Sequence, residues 1–410
     1  MKRILILISL FVATFLLVSC AAGRYPYPTS ELGKETWRQQ VQTNSDYWAS
    51  DADQWFQAGG NTEDSIANER APYTEAITHT SVRVPNFRSI KVTGDFQVKI
   101  FNEEDHNGVW IEGPNKAVRH LGITVRRHVL CIDQDKDAPT AMRRVVVHIG
   151  VKQLRSLVYK GDGRLEGIRI LSDHLSVETA GCGNVFLAGH INLKSVISRG
   201  TGSVNIFTMH ADDTKIETFG AGSVNVDAKQ GVVLRSVIHH GTGDINIIGA
   251  ASRGLVVHAD GKGKVGISGQ VTIKEISASG STCVFIPNSA GGVPCVYVYD
   301  DARVGLAGGT GTLYAYTTRT SRFLGRNLLA HTAYVNASGI SHMNINATHK
   351  VFATARDYAT IYFFGKPSRL SAIERNNGSV IAMNAVPDTM QPKPKKKRHI
   401  DYKAEAGGPR

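Results

Sequence analysis

The chain has little of what most function classes require. No apolar run reaches the roughly 20 residues that a helix needs to cross a bilayer; the longest, Ile4 to Val18, is broken by Ser9 and Thr14. Calcium-type Gly-Gly-x-Gly-x-Asp repeats are absent, and carboxylates do not gather at one recurring position. Asp162, Asp244 and Asp260 fall at different places relative to neighbouring glycines, and the adjacent pair Asp212-Asp213 would face opposite ways on a strand or sit in a turn. Polysaccharide-cleaving enzymes need acids clustered on neighbouring segments, so no catalytic residues are assigned and the chain is read as a non-enzyme. No metal site and no cofactor are expected. His190 and His210 share a position on successive repeats, but no acid or cysteine shares it with them. Of His239-His240, one is expected to face inward and one outward.

Cysteines number only five. The first, Cys20, closes the short apolar run at Leu17-Val18-Ser19-Cys20, behind the basic Lys2 and Arg3. That order of charge, apolar core, small residue and thiol is similar to a bacterial lipoprotein signal, in which the cysteine becomes the lipidated first residue. It implies a lipid-anchored envelope protein, and Ala21 in place of aspartate favours the outer membrane. Four cysteines then remain in a disulfide-permitting compartment, with three pairings open. Cys283 with Cys295 closes a short loop and is the favoured pair, whereas Cys131 and Cys182 read as buried thiols.

Strong charge is also missing from the body of the chain. Of a net +12, the signal carries two charges and the tail from Gln391 carries five, which leaves about +5. The cluster Lys393, Lys395, Lys396, Lys397 and Arg398, set among Pro392 and Pro394, reads as a charged tail that attracts anionic envelope surfaces; behind a signal peptide, no nucleic-acid partner is expected. Residues 20–85 lack a periodic apolar face and read as a polar tether with one helix after Ser30, its Trp37, Tyr47, Trp48, Trp55 and Phe56 docking onto the body or onto a partner.

What is abundant is glycine, at 41 residues, and it is periodic. Gly-x-Gly or a relative recurs at Gly161, Gly181, Gly200, Gly220, Gly241, Gly261 and Gly280, at intervals of 20, 19, 20, 21, 20 and 19. Degenerate copies are read at Gly309-Thr310-Gly311, Gly339-Ile340-Ser341, Asp357-Tyr358-Ala359 and Asn376-Asn377-Gly378. Aliphatic residues keep register with the glycines. Four before stand Leu157, Val177, Val196, Ile216, Val237, Val257 and Ile276; four after stand Leu165, Val185, Val204, Val224, Ile245, Val265 and Val284. Alternation with period two marks strands, and glycine between two such runs marks a corner. One coil cannot bury its own apolar face, so coils must stack. The fold class is therefore all-β: a parallel β-helix, or solenoid, of ~20-residue coils. Parallel crossovers favour right-handed winding. The division is signal peptide 1–19, tether 20–85, β-helix 86–386 and basic tail 387–410.

Asn205, Asn225 and Asn246 recur between the inward columns and form an outward amide ladder. Its two roles are hydrogen bonding between coils and a polar stripe that meets glycans.

The run Phe87 to Ile100, then Leu130-Cys131-Ile132, Val145 to Ile149 and the Gly-x-Gly-[Ser/Asn/Asp]-aliphatic-Asn-aliphatic coils resemble the putative auto-transporter adhesins with a head GIN domain. The resemblance covers about Phe87 to Leu313 and implies a right-handed β-helix with an adhesin-like role. The expectation is thus an outer-membrane, lipid-anchored, non-enzymatic binding protein whose partner is a glycan or another envelope protein. A structural subunit of an envelope assembly is the alternative, with a polysaccharide-active enzyme third.

Overall fold

A computed structural model describes residues 77–103 and 107–383; the signal, most of the tether with its expected helix, Cys20 and the basic tail lie outside them. Within the described residues the chain is a parallel β-solenoid of about eleven turns. Each coil contributes one strand after a tight corner and one before the next, and each strand pairs in parallel with its counterpart one coil on. Val185 pairs with Val204, Val204 with Val224, Val224 with Ile245, and Ile245 with Val265.

The aliphatic columns expected from the sequence all point inward. Leu165, Val185, Val204, Val224, Ile245, Val265 and Val284 are fully buried or nearly so, as are Leu157, Val177, Val196, Ile216, Val237, Val257 and Ile276. They belong to a single core running from Phe87 to Phe363. Each such side chain contributes about 1.5–3 kcal/mol on leaving water. The β-branched majority suits an extended backbone, where χ1 is already restricted.

The corners explain the glycine period. Thr201 N donates to Gly181 O at 2.9 Å, Gly222 N to Gly200 O at 3.0 Å, and Thr242 N to Gly220 O at 3.0 Å. These bonds draw each corner onto the one before, so a Cβ on Gly220 would overlap the Gly200 carbonyl and come within 2.8 Å of its carbon. No side chain fits there.

Besides the expected Asp357-Tyr358-Ala359 corner, two corners carry no glycine. Asp300 and Arg319 adopt left-handed φ of 56° and 58°, and Asp301 N to Gly280 O, then Thr320 N to Asp300 O, continue the ladder. Gly309-Thr310-Gly311, read as a corner, instead lies inside the strand Arg303–Thr317. The apparent gap after Gly280 is therefore filled by an ordinary coil. The second bend of each coil is looser, and several coils pass through it as one continuous strand, such as Arg164–Ala180 with 17 residues and Asn184–Ser198 with 15. Register shifts mark it, as between Thr208 and Thr214.

The first coils stack out of chain order. Ser89–Thr93 lies between Val129–Gln134 on one side and Ser156–Lys160 on the other, and Gln97–Asn102 lies between Val146–Val151 and Arg164–Ala180. The chain lays its first coil, descends to build one beneath it, and returns above. Antiparallel strands close that end. Gly108–Pro114 pairs with Val146–Val151, and Ile77–Val82, assigned to the tether from sequence, pairs with Gly108–Pro114. Leu121–Arg126 closes the other face against Val129–Gln134.

Among the described residues nothing stacks on the last coil. All seven residues of Arg369–Arg375 are exposed, including Leu370 and Ile373. Glu374 falls opposite the buried Ala355, in an inward position, and accepts a hydrogen bond from Val380 N at 2.6 Å. An inward charge on an edge strand blocks further stacking.

Candidate functional site

The face formed by strands that follow the glycine corners carries the amide ladder. Asn225 Nδ2 donates to Asn205 Oδ1 at 2.8 Å, and Asn246 Nδ2 donates to Asn225 Oδ1 at 3.0 Å. Bonding between coils is thus one role that these residues perform. Each amide nitrogen has two protons, so Asn225 and Asn246 each keep one donor outside the ladder. Two positions along, Phe207, Asp227 and Ile248 lie side by side on successive strands, with Phe186 5.4 Å from Phe207 between ring centroids. Burial beside these apolar neighbours pushes the Asp227 carboxyl above its ordinary range.

The corner acids are engaged by backbone donors of the next coil. Asp95 accepts from Asp162 N at 3.2 Å, Asp162 from Cys182 N at 2.8 Å, and Asp244 from Lys264 N at 2.8 Å. Each ties one coil to the next, which is structural use of a carboxylate. Asp95 and Asp162, with Gln97, Arg143, Arg164 and Asn184, also line an open cleft of about 520 Å³. Asp213, at φ 56°, holds Lys194 from the coil before and Arg235 from the coil after, and those two hydrogen bonds lower its carboxyl from the usual range. Among the described residues no three His, Cys, Asp or Glu side chains converge as metal ligands.

The backbone register sets His210 beside Asn192, and His190 beside Leu171, so the expected His190–His210 pair is not formed; a register shift at the looser bend separates them. His239 and His240 divide as expected. His239 is fully buried, 2.6 Å from Thr218 Oγ1, and burial lowers its ring from the ordinary value. His240 faces out, 2.7 Å from Asp260, and stacks on Phe219.

The Cys283–Cys295 disulfide does not form, because Cys295 is a free thiol. Cys283 pairs in register with Lys264 and Arg303, while Cys295 pairs with Glu275 and Tyr314. The two lie on different faces of one coil, and the loop thought to join them is an ordinary coil. Cys131 and Cys182 are also free, but Cys131 is only half-buried and Cys182 is exposed.

One surface feature escaped the sequence reading. On the face formed by strands that precede the corners, Tyr314, Tyr334 and Phe352 stack at 5.1 and 4.8 Å, and Tyr297 stacks on Tyr316 at 5.2 Å. Interplanar angles of 4–11° show rings lying face to face along the solenoid. Spacings of 18–20 residues between these aromatics were the available signal.

The ladder, its flanking phenylalanines and the coils carrying them fall inside one recognised sequence segment. Residues 86–251 match the family described as putative auto-transporter adhesin, head GIN domain. Coils from Leu255 onward continue the same register beyond the head GIN match. Among solved structures, a putative adhesin from Bacteroides fragilis is 15% identical, covering 76% of this chain and 99% of its own, with a TM-score of 0.22. A putative lipid binding protein from Parabacteroides distasonis is 12% identical over 76% of this chain and 98% of its own, with a TM-score of 0.24. A putative adhesin from Parabacteroides merdae is 13% identical over 76% and 97%, with a TM-score of 0.23. No curated protein matches the chain. Among the described residues no helix is long and apolar enough to cross a membrane.

Proposed function

We propose that this protein is a lipid-anchored, adhesin-like binding protein of the bacterial outer membrane, held through Cys20 and acting without catalysis. The observation that carries the binding role is the Asn205–Asn225–Asn246 ladder beside Phe186, Phe207 and Asp227. Rigid strands fix amide donors next to apolar surface and a carboxylate, the mixture that pairs with sugar hydroxyls and C–H faces. The family description of residues 86–251 as an adhesin head supports the same reading. The anchor rests on the Leu17-Val18-Ser19-Cys20 sequence behind a basic, apolar leader. Protease shaving of intact cells, with lysed cells as control, tests the role. Cleavage on intact cells supports an outward-facing adhesin; survival until lysis refutes it in favour of an envelope scaffold. Metabolic labelling with palmitate, retained by the wild type and lost in Cys20→Ala, tests the anchor.

A further inference from the structure

The open cleft at the first corners, of about 520 Å³, falls in the size range of small-molecule sites, roughly 300–1,000 Å³. Three successive coils build it in two rows. The corner row is Asp95, Asp162 and Cys182, tied by Asp162 N to Asp95 Oδ1 and by Cys182 N to Asp162 Oδ1. Two residues on, where each following strand begins, stand Gln97, Arg164 and Asn184; Val98 pairs with Leu165, and Arg164 with Asn184. Gly163 lies between the rows and adds no side chain. Arg143, exposed in the 3₁₀ turn that leads into the coil beneath, lines the cleft from that side. The ties between coils use only part of each group. A carboxylate has two acceptor oxygens, so Asp95 and Asp162 each keep one beyond the tie. Asn184 Oδ1 accepts from Ser203 N and Oγ at 2.9 and 2.8 Å, which leaves its amide nitrogen, with two protons, for the cleft. Arg164 meets Glu166 through one nitrogen, and a guanidinium carries five N–H donors.

We propose that this cleft holds a neutral sugar unit of the glycan whose other units lie along the amide ladder. This rests on the binding role proposed above and adds to it a subsite and the charge class of the ligand. Two carboxylates are set against two guanidinium groups, so the lining has no net charge to draw in a polyanion or a polycation. Among the described residues that line it, none has an aliphatic or aromatic side chain, so a lipid chain finds no apolar wall. A sugar hydroxyl both donates and accepts, and planar carboxylate, amide and guanidinium groups answer it on both counts. The cleft and the ladder form one surface. Two residues beyond Arg164 and Asn184 stand Glu166 and Phe186, which pair with each other, and Phe186 pairs in turn with Asn205.

The test uses the full chain with Lys395, Lys396, Lys397 and Arg398 changed to Gln, so that the basic tail does not attract acidic sugars. Saturation-transfer NMR presents two pools, one of neutral gluco-, manno-, galacto- and xylo-oligosaccharides and one of galacturonic acid oligomers. Transfer is expected from the neutral pool, and the oligosaccharide that shows most is then titrated. Asp162→Asn keeps an Oδ1 to accept from Cys182 N, so the melting profile should hold while affinity falls about tenfold, the loss for one hydrogen bond to a charged group. Arg143→Gln, at an exposed position, should weaken binding several-fold. Asp244→Asn makes the same change in the same kind of tie, to Lys264 N, away from the cleft, and should alter affinity less than twofold. Transfer from the galacturonic acid pool alone, transfer from neither pool, or equal losses in Asp162→Asn and Asp244→Asn would each overturn the proposal. A loss in Asn225→Ala with none in the cleft variants removes the cleft and leaves the ladder standing. Cleft-dependent binding by a protein that survives shaving until lysis keeps the cleft while the adhesin reading fails.

Discussion

A methyl group placed at one corner should be among the most damaging small changes in this protein. In Gly220→Ala the new Cβ meets the Gly200 carbonyl, whose carbon lies within 2.8 Å. Neither partner is a side chain that can swing aside, so the two coils must part. The bonds Gly222 N to Gly200 O and Thr242 N to Gly220 O, both 3.0 Å, lengthen together. Each is worth about 1 kcal/mol net, and overpacking of a tight interior adds roughly 1–3 kcal/mol. The expected loss is about 3 kcal/mol. Gly254→Ala is the control, because a Cβ there meets nothing within 4 Å and the backbone is not left-handed. That change should be neutral or stabilise by about 0.5 kcal/mol through the unfolded chain. Urea unfolding followed by far-ultraviolet circular dichroism compares the two midpoints. If the variants fall within about 0.5 kcal/mol of each other, the account of the glycine period given above is wrong.

Asn225→Ala breaks both ladder bonds at a half-buried position and should cost about 1 kcal/mol, measured in the same way. For Asp227, burial raises the folded-state carboxyl above its unfolded value of 3.8, so the native state holds its proton more tightly. The stability this gives is complete below pH 3.8 and is lost as pH rises through the folded value. Asp227→Asn should therefore leave stability unchanged in strong acid and raise it at pH 7, where equal unfolding midpoints would contradict the burial. His239 runs the other way: burial depresses its ring below 6.5, so the unfolded chain takes up the proton first and stability falls as pH drops below 6.5. His239→Gln should flatten that part of a stability–pH curve, and an unaltered slope would assign it to other groups. Glu374→Leu removes the inward charge at the bare end and should produce concentration-dependent association by sedimentation velocity; a strictly monomeric variant would show that the charge is not what blunts this edge.

The repeat was legible because its cause is local and absolute. Backbone packed on backbone admits only glycine at Gly200, Gly220 and Gly241, and the inward columns must stay aliphatic to share one core. Corners at Asp300 and Arg319 were hidden because a single left-handed residue can be Asp or Arg when its neighbours leave room, so composition no longer marks the place. That concealment misdirected the cysteine pairing as well. The amide ladder could be read from spacing alone, since Asn205, Asn225 and Asn246 occupy one position of consecutive coils. Alternation in Val129–Gln134 and Val146–Val151 announced strands but held no information on which neighbour each would choose.

That choice of neighbours restricts how the molecule can change in length. Beyond Ser156 every coil rests on the one just before it in the chain, so duplicating or deleting some 20 residues between two corners adds or removes one storey without disturbing any other. The opening segment has no such freedom. Because Ser89–Thr93 is wedged between Val129–Gln134 and Ser156–Lys160, no contiguous unit can be cut out there without unseating the strands on both sides. Relatives of this chain should accordingly vary in height through their later coils while keeping the first three as an indivisible foundation.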